Sequence, residues 1–136
     1  MTIAQRLAAE ALALVGSRFR LRGRDPASGL DCVGVLDLAL ERAGCPIRLP
    51  MDYTMRCRTA DRPARIAEQV GLLPADGLPV AGDILLLKVG PEQLHFVLCA
   101  GAASFVHAHA GLRRVVISPA VPDGEIIGHW RMPEPV

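Results

Sequence analysis

The stretch GLDCVGVLDLALERAG, residues 29–44, places a cysteine at the junction between a turn and a helix. Gly29 is a turn residue, Asp31 is a typical helix cap, and Cys32 follows directly. Apolar residues then recur at helical spacing at Val33, Leu36, Leu40 and Ala43. Such a cysteine has two interpretations. It is either a small buried apolar side chain, which is the commoner case, or a nucleophile whose thiolate is favoured by the start of the helix.

The composition describes one globular domain over residues 1–136. Hydrophobic residues make up 51% of the chain and charged residues 21%, which is enough for a core that needs no disulfides. The net charge is +1, with 15 basic and 14 acidic residues, so we expect neither a nucleic-acid partner nor binding to an anionic membrane. Arginines nevertheless collect in the N-terminal half, where they predict either a solvated surface or a mildly cationic face suited to an anionic polymer.

The cysteines and the N-terminal residues indicate the cellular compartment. Cys32, Cys45, Cys57 and Cys99 are too few and too irregularly spaced for a disulfide scaffold, so we expect reduced thiols. Glu10 interrupts the first apolar run, which favours a helix of the mature fold over a signal peptide. No run is long enough to span a bilayer. We therefore expect synthesis in the cytoplasm without a signal peptide.

Helical patterns precede strand patterns along the chain. Three amphipathic patterns predict helices at about 2–15, 32–43 and 61–70, with Leu7, Ala11, Leu14 and Val15 on one face of the first and Asp61 as the cap of the third. Five short β-type runs follow at 82–89, 94–100, 104–110, 112–118 and 125–132, separated by glycine and proline turns. Short connections favour hairpins and an antiparallel sheet. This order indicates an α+β fold.

A thiol nucleophile needs an imidazole to accept its proton and a partner to orient that imidazole. Counted outward from Gly101, His95 lies six residues before it and His107 six residues after it, so we expect the two rings nearly opposite each other on a hairpin. His107 and His109 point to the same face of their strand. A strand histidine is often a satisfied surface group, which is the favoured interpretation for His129 and stays open for His109.

Zinc is a second use for the same residues. Cys32, His95 and His107 are the residue types that zinc prefers. The pair His107 and His109 has a spacing that zinc sites use, but no acidic third ligand lies near it in the sequence. We therefore favour the cysteine–histidine nucleophile and expect no metal and no cofactor.

Three segments in the same order resemble the NlpC/P60 family of cysteine peptidases. GSRFRLRGRDPASGLDCVGVLDLALERAG, residues 16–44, is similar to the family's nucleophile segment. AGDILLLK, residues 81–88, resembles its GDLVFF strand, and LHFVLCAGAASFVHAHAG, residues 94–111, resembles its histidine hairpin. The resemblance implies a papain-like α+β fold in which N-terminal helices pack on a five- to six-stranded antiparallel sheet.

The resemblance also implies roles for individual residues. Cys32 would be the nucleophile, His95 the general base and acid, and His107 the residue that orients His95. The implied reaction is hydrolysis of peptide bonds in peptidoglycan stem peptides through an acyl-enzyme, often between D-γ-glutamyl and a diamino acid. Phe19 stands where the family has a substrate-binding tyrosine, and Asp31 and Val33 flank the nucleophile, Val33 replacing a serine whose backbone N–H is kept.

The C-terminal segment looks most like the stand-alone cell-wall peptidases of phage tails and gene transfer agents. The expected substrate is therefore a peptidoglycan peptide and the expected partners are particle proteins. Access to the wall would come through the particle or through non-classical export. Two alternatives stay open: a non-catalytic wall-binding or phage-tail module, and an amidase or acyltransferase of the same fold.

Overall fold

The computed structural model describes residues 1–45, 61–91 and 93–133, so Cys57 lies outside the described residues. The helices in these ranges are α1 (Ile3–Ala13), α2 (Cys32–Arg42) and α3 (Asp61–Gln69). The strands are β1 (Arg24–Asp25), β2 (Gly29–Leu30), β3 (Leu73–Pro74), β4 (Ile84–Gly90), β5 (Gln93–Gly101), β6 (Ser104–His109), β7 (Arg114–Ser118) and β8 (Glu125–Arg131). Every predicted helix and strand is confirmed, with ends within two residues of the prediction.

Capping side chains explain where the first two helices begin. Thr2 Oγ1 accepts a hydrogen bond from Gln5 N–H, and the Gln5 side chain accepts one from Thr2 N–H, which forms a capping box for α1. Asp31 caps α2 as predicted.

Two details of the predicted helices are wrong. Val15 is 36% exposed because α1 ends before it, and Asp61 lies in the first turn of α3 rather than at its cap. None of these helices is long and apolar enough to cross a bilayer.

The main sheet is antiparallel and has the strand order β3-β8-β4-β5-β6-β7. The strands β4 to β7 follow one another as hairpins, as the short connections predict. β8 instead returns across the sheet and pairs with β4, where Ile84 lies opposite Trp130. The two-residue strands β1, β2 and β3 are not predicted, because they are too short to show an alternating pattern.

The helices pack on one face of this sheet. Leu7 of α1, Leu36 of α2 and Ile84 of β4 belong to one large buried cluster. The other face carries a second cluster, which includes Leu87 and Cys99. Because both faces of β4 are covered, its run of apolar residues is continuous rather than alternating. This layering brings the N-terminus of α2 against the middle of the sheet.

Candidate active site

Cys32 is the first residue of α2 and lines a cleft of about 940 Å³. His95 and His107 line the same cleft, so the fold brings the three predicted catalytic residues to one cavity. The Cys32 residue is only 8% exposed, and it meets the cleft at the point where α2 approaches β5. The small exposed part of Cys32 therefore faces the cleft.

The surroundings of Cys32 raise the pKa of its thiol to about 12. Burial is the largest cause, and the negative charge of Asp31 adds to it. Backbone N–H groups of Phe96 and Val33 and the charge of Arg24 act in the opposite direction without compensating. The helix start is therefore not enough to give a thiolate, which was one of the two interpretations of this cysteine: the thiol is neutral at neutral pH, and reaction at its sulfur would need a base that removes its proton.

His95 and His107 are in contact across two strands. His95 Nε2 lies 3.3 Å from His107 Nδ1, and the ring planes are nearly perpendicular, with centroids 5.3 Å apart. Both histidines lie beyond the last pair of β5 with β6, which is Leu98 opposite Val106. Counting outward from Gly101 therefore predicts the proximity of the rings, although the two residues are not a paired position of the sheet.

The divergence of β5 and β6 makes room for this contact. β5 pairs with β4 from Gln93 to Leu98, whereas it pairs with β6 only from Leu98 to Gly101. Beyond this point β6 pairs with β7 alone among the described strands. The two strands thus separate at the cleft, and the histidine side chains reach into the gap.

A chain of hydrogen bonds couples the protons of His95 and His107 to Ser118. His107 Nε2 lies 2.9 Å from Ser118 Oγ, so both nitrogens of His107 have partners. If Nε2–H of His107 donates to Ser118, then Nε2–H of His95 donates to His107 Nδ1. Among the described residues, His95 Nδ1 has no hydrogen-bond partner, and in this tautomer it carries the lone pair that can accept a thiol proton.

Burial also lowers the pKa of His95, to about 4, and the charges of His107 and His109 contribute. The pKa of His107 is lowered by burial and by His109 as well. His95 is therefore neutral and able to act as a base over most of the pH range. The described hydrogen bonds do not include one between Cys32 Sγ and His95, so the nucleophile–base pair and its roles stay predictions.

The three predicted substrate-binding residues have different surroundings. Phe19 is half-buried and lines the cleft. The side chain of Val33 is buried in the core, so its backbone N–H is the part that reaches the sulfur. Asp31 lines the cleft, but its carboxylate already accepts hydrogen bonds from Gly34 N–H at 2.8 Å and Arg22 N–H at 2.9 Å. Asp31 therefore holds the start of α2 in place, while its role towards substrate stays a prediction.

Arg24 completes the network around Asp31. Its Nη1 donates to Asp31 Oδ1 at 2.7 Å and to Gly23 O at 3.0 Å. Its other terminal nitrogen, Nη2, is buried and has no hydrogen-bond partner among the described residues. Neither Arg24 nor Ser118, which lies behind His107, is predicted from the sequence as a site residue. A serine at the end of an apolar strand is the only local signal for the latter.

The remaining histidines lie in two different settings. His109 accepts a hydrogen bond from Leu112 N–H at 3.0 Å and lines the cleft without touching His95, so His107 is the ring in contact with the predicted base. His129 is a satisfied polar group, as predicted: its Nε2 lies 2.7 Å from a carboxylate oxygen of buried Asp83. Arg131 binds the same carboxylate through two nitrogens, each at 2.9 Å, which ties β4 to β8.

Burial alone would raise the pKa of Asp83, but hydrogen bonds from Arg131, Val80 N–H and His129 outweigh it, and the pKa is lowered. This cluster is an internal ion pair of the sheet and does not line the cleft. Within residues 1–45, 61–91 and 93–133, no group of three His, Cys, Asp or Glu side chains is arranged to hold a metal ion.

Solved structures with the same fold belong to NlpC/P60 proteins. NlpC1 from Trichomonas vaginalis superposes with a TM-score of 0.72 and 21% identity, covering 99% of this chain and 45% of that one. An NlpC/P60 family protein from Bacillus cereus superposes with a TM-score of 0.69 and 20% identity, covering 94% of this chain and 39% of that one. The NlpC/p60 domain of the peptidoglycan hydrolase SagA superposes with a TM-score of 0.60 and 24% identity, covering 85% of this chain and 88% of that one. The chain thus spans less than half the length of the first two.

These comparisons confirm the predicted fold, an α+β NlpC/P60 architecture with three helices packed with a six-stranded antiparallel sheet in the described residues. No family model matches the sequence, and no curated protein sequence matches it. The expected similarity to phage-tail and gene-transfer-agent enzymes stays a prediction.

Proposed function

We propose that this protein is a cysteine hydrolase that cleaves peptide bonds in peptidoglycan stem peptides, of the type that cuts between γ-D-glutamyl and a diamino acid. The observation that carries the proposal is the chain from His95 through His107 to Ser118 on the wall of a cleft that also holds Cys32 at a helix start. The shared fold supports the substrate class, since one structure with this fold is described as a peptidoglycan hydrolase.

In the proposed mechanism, His95 Nδ1 takes the proton from Cys32 as the sulfur attacks the scissile carbonyl carbon. The backbone N–H of Val33 stabilises the negative charge that develops on the carbonyl oxygen. His95 then gives its proton to the departing amine, which leaves a thioester on Cys32. Water attacks the thioester carbonyl, loses a proton to His95, and releases the peptide as a carboxylic acid with the thiol restored.

The protonation states of the free protein determine the pH dependence expected of this general-base route. Both the thiol and the imidazole are neutral at neutral pH, because the pKa of Cys32 is about 12 and that of His95 is about 4. We therefore expect kcat/KM to stay level from neutral pH down to about pH 5 and to fall as His95 gains a proton. An acidic limb with a midpoint between pH 6 and 7 would contradict this assignment of the base.

The direct test is mass spectrometry of purified muropeptides incubated with the protein, because the masses identify the bond that is cut. Cys32→Ala is expected to lose at least about a thousandfold in turnover. Cys99→Ala is the matched control, since Cys99 is also a buried thiol but lies in the cluster on the other face of the sheet. Unchanged cleavage by Cys32→Ala would refute the nucleophile.

A non-catalytic wall-binding module is the second candidate, and the raised pKa of Cys32 and the phenyl ring of Phe19 favour it. It predicts that folded wild-type protein binds muropeptides without releasing any fragment. An amidase or acyltransferase would instead act on other amides or esters, and mass spectrometry of those compounds after incubation with the protein would detect the products. The particle partners and the export route are also proposals, and cofractionation of the protein with purified particles tests them.

A further inference from the structure

A second cavity, of about 590 Å³, lies beside the cleft, and three of its six wall residues are arginines. We call it the arginine cavity. Its wall residues are Gly16, Arg18, Phe19, Leu112, Arg113 and Arg114. Phe19 lines both cavities, and Leu112 follows Gly111 of the cleft wall directly in the chain. The two cavities are therefore neighbours that meet at Phe19.

The backbone holds two of the arginines opposite each other. Arg18 and Arg114 form an antiparallel bridge, which places their side chains side by side. Two like charges at directly opposed positions repel each other and destabilise the pairing. The surrounding hydrogen bonds nevertheless maintain it, with Gly16 N–H donating to Val115 O at 2.8 Å and Val115 N–H donating to Ser17 O at 2.8 Å.

The third arginine has an unusual backbone conformation. Arg113 has φ of 56°, in the left-handed region that favours glycine, so the residue is held there at a conformational cost. Phe19 N–H donates to Arg113 O at 3.0 Å, and Arg113 N–H donates to Ala110 O at 3.2 Å. All three arginines are exposed, and the ion pairs found among the described residues do not involve them.

We propose that the arginine cavity binds a free carboxylate of the substrate peptide while the scissile bond lies in the cleft. The inference rests on the proposed function, because a γ-linked glutamyl residue keeps its α-carboxylate free. Guanidinium groups match a carboxylate with paired N–H donors, and a bound anion removes the repulsion between Arg18 and Arg114. The carboxylate is favoured over a long anionic polymer because the cavity shares Phe19 with the cleft and the whole chain carries a net charge of only +1.

The test compares two probes that differ only in charge. One is the tripeptide L-alanyl-γ-D-glutamyl-L-lysine with free carboxylates, and the other is the same tripeptide with both carboxylates converted to carboxamides. Calorimetry on the Cys32→Ala protein measures binding without turnover. We expect Arg18→Gln and Arg114→Gln each to weaken binding of the acid roughly tenfold and to leave binding of the carboxamide unchanged. Arg6→Gln, on the exposed surface of α1, is the control and should change neither.

In the active protein, the same variants are expected to raise KM for the acid substrate roughly tenfold with little change in kcat, because the lost contact is made equally in ground and transition states. Equal effects on acid and carboxamide, or no effect on either, would overturn the proposal. So would tighter arginine-dependent binding of poly(glycerol phosphate) than of the acid tripeptide.

The two proposals fail separately. Cleavage without any preference for the acid tripeptide refutes carboxylate binding in the arginine cavity but is consistent with the proposed hydrolase activity. Arginine-dependent binding of the acid by a wild-type protein that cleaves nothing refutes the hydrolase and leaves the cavity.

Discussion

Replacement of Asp31 by alanine tests how firmly α2, the helix that begins at Cys32, is held in place. The Asp31 carboxylate accepts hydrogen bonds from Gly34 N–H, Arg22 N–H and Arg24 Nη1, at 2.8, 2.9 and 2.7 Å. Loss of a helix cap costs about 1 kcal/mol. Loss of one partner from a buried ion pair costs about 3–5 kcal/mol, because the other charge stays buried. The side chains of Arg24 and Asp31 are 14% and 12% exposed, which favours the lower end of that range.

We therefore expect Asp31→Ala to lower the free energy of unfolding by about 4 kcal/mol, a large part of the 5–15 kcal/mol typical of a domain. Asp31→Asn keeps an acceptor for Gly34 N–H and loses the ion pair, so we expect about half that loss. Asp25→Ala is the matched control in the same loop, since the exposed Asp25 carboxylate accepts one local bond from Ala27 N–H at 2.9 Å. It should cost less than about 1 kcal/mol.

Urea unfolding followed by circular dichroism at pH 7 measures these differences, provided that the m-value does not change. A loss below about 1 kcal/mol for Asp31→Ala, or one equal to that of Asp25→Ala, would refute the reasoning. A second measurement is the ultraviolet titration of the Cys32 thiol. Because the charge of Asp31 helps to raise its pKa, Asp31→Asn should lower that pKa.

Three further predictions follow from the site. The pKa of His95 is about 4 in the folded protein against an ordinary value of 6.5, so between these pH values the unfolded chain binds a proton that the native state excludes. The free energy of unfolding should therefore fall by about 3 kcal/mol as the pH drops from about 6.5 to 4. Urea titrations of His95→Gln should lack this part of the pH dependence. Ser118→Ala removes the partner of His107 Nε2 and should lower kcat about tenfold at unchanged KM, whereas an equal loss in Ser118→Thr would argue against the hydrogen bond. Gly34→Ala would push a methyl group into the carbonyl of Gly23, so calorimetry should show a lower Tm despite alanine's better helix propensity.

The positions of the helices and strands are largely a local matter. Thr2 and Asp31 start helices because their side chains satisfy N–H groups a few residues away, and glycine or proline ends each run. The order of strands is not local. β8 inserts beside β4 because apolar residues of both strands are buried there together, and the short connections that predict the other hairpins carry no information about this pairing.

The residue types of the candidate site could be recognised in the sequence, since a cysteine after a helix cap and two histidines about a turn are local patterns. The protonation states could not. The same helix start that favours a thiolate also buries Cys32 against the backbone of Phe96, which is distant in sequence, and this burial raises the thiol pKa to about 12. Likewise, the contact of His107 with Ser118 and the clustering of Arg18 with Arg114 arise only when β7 pairs with its neighbours. Helix capping and hydrophobic periodicity depend on residues within a few positions of each other in the sequence. Desolvation and the effect of nearby charges on a pKa depend on every group that packs around a side chain, and only the tertiary structure decides which groups these are.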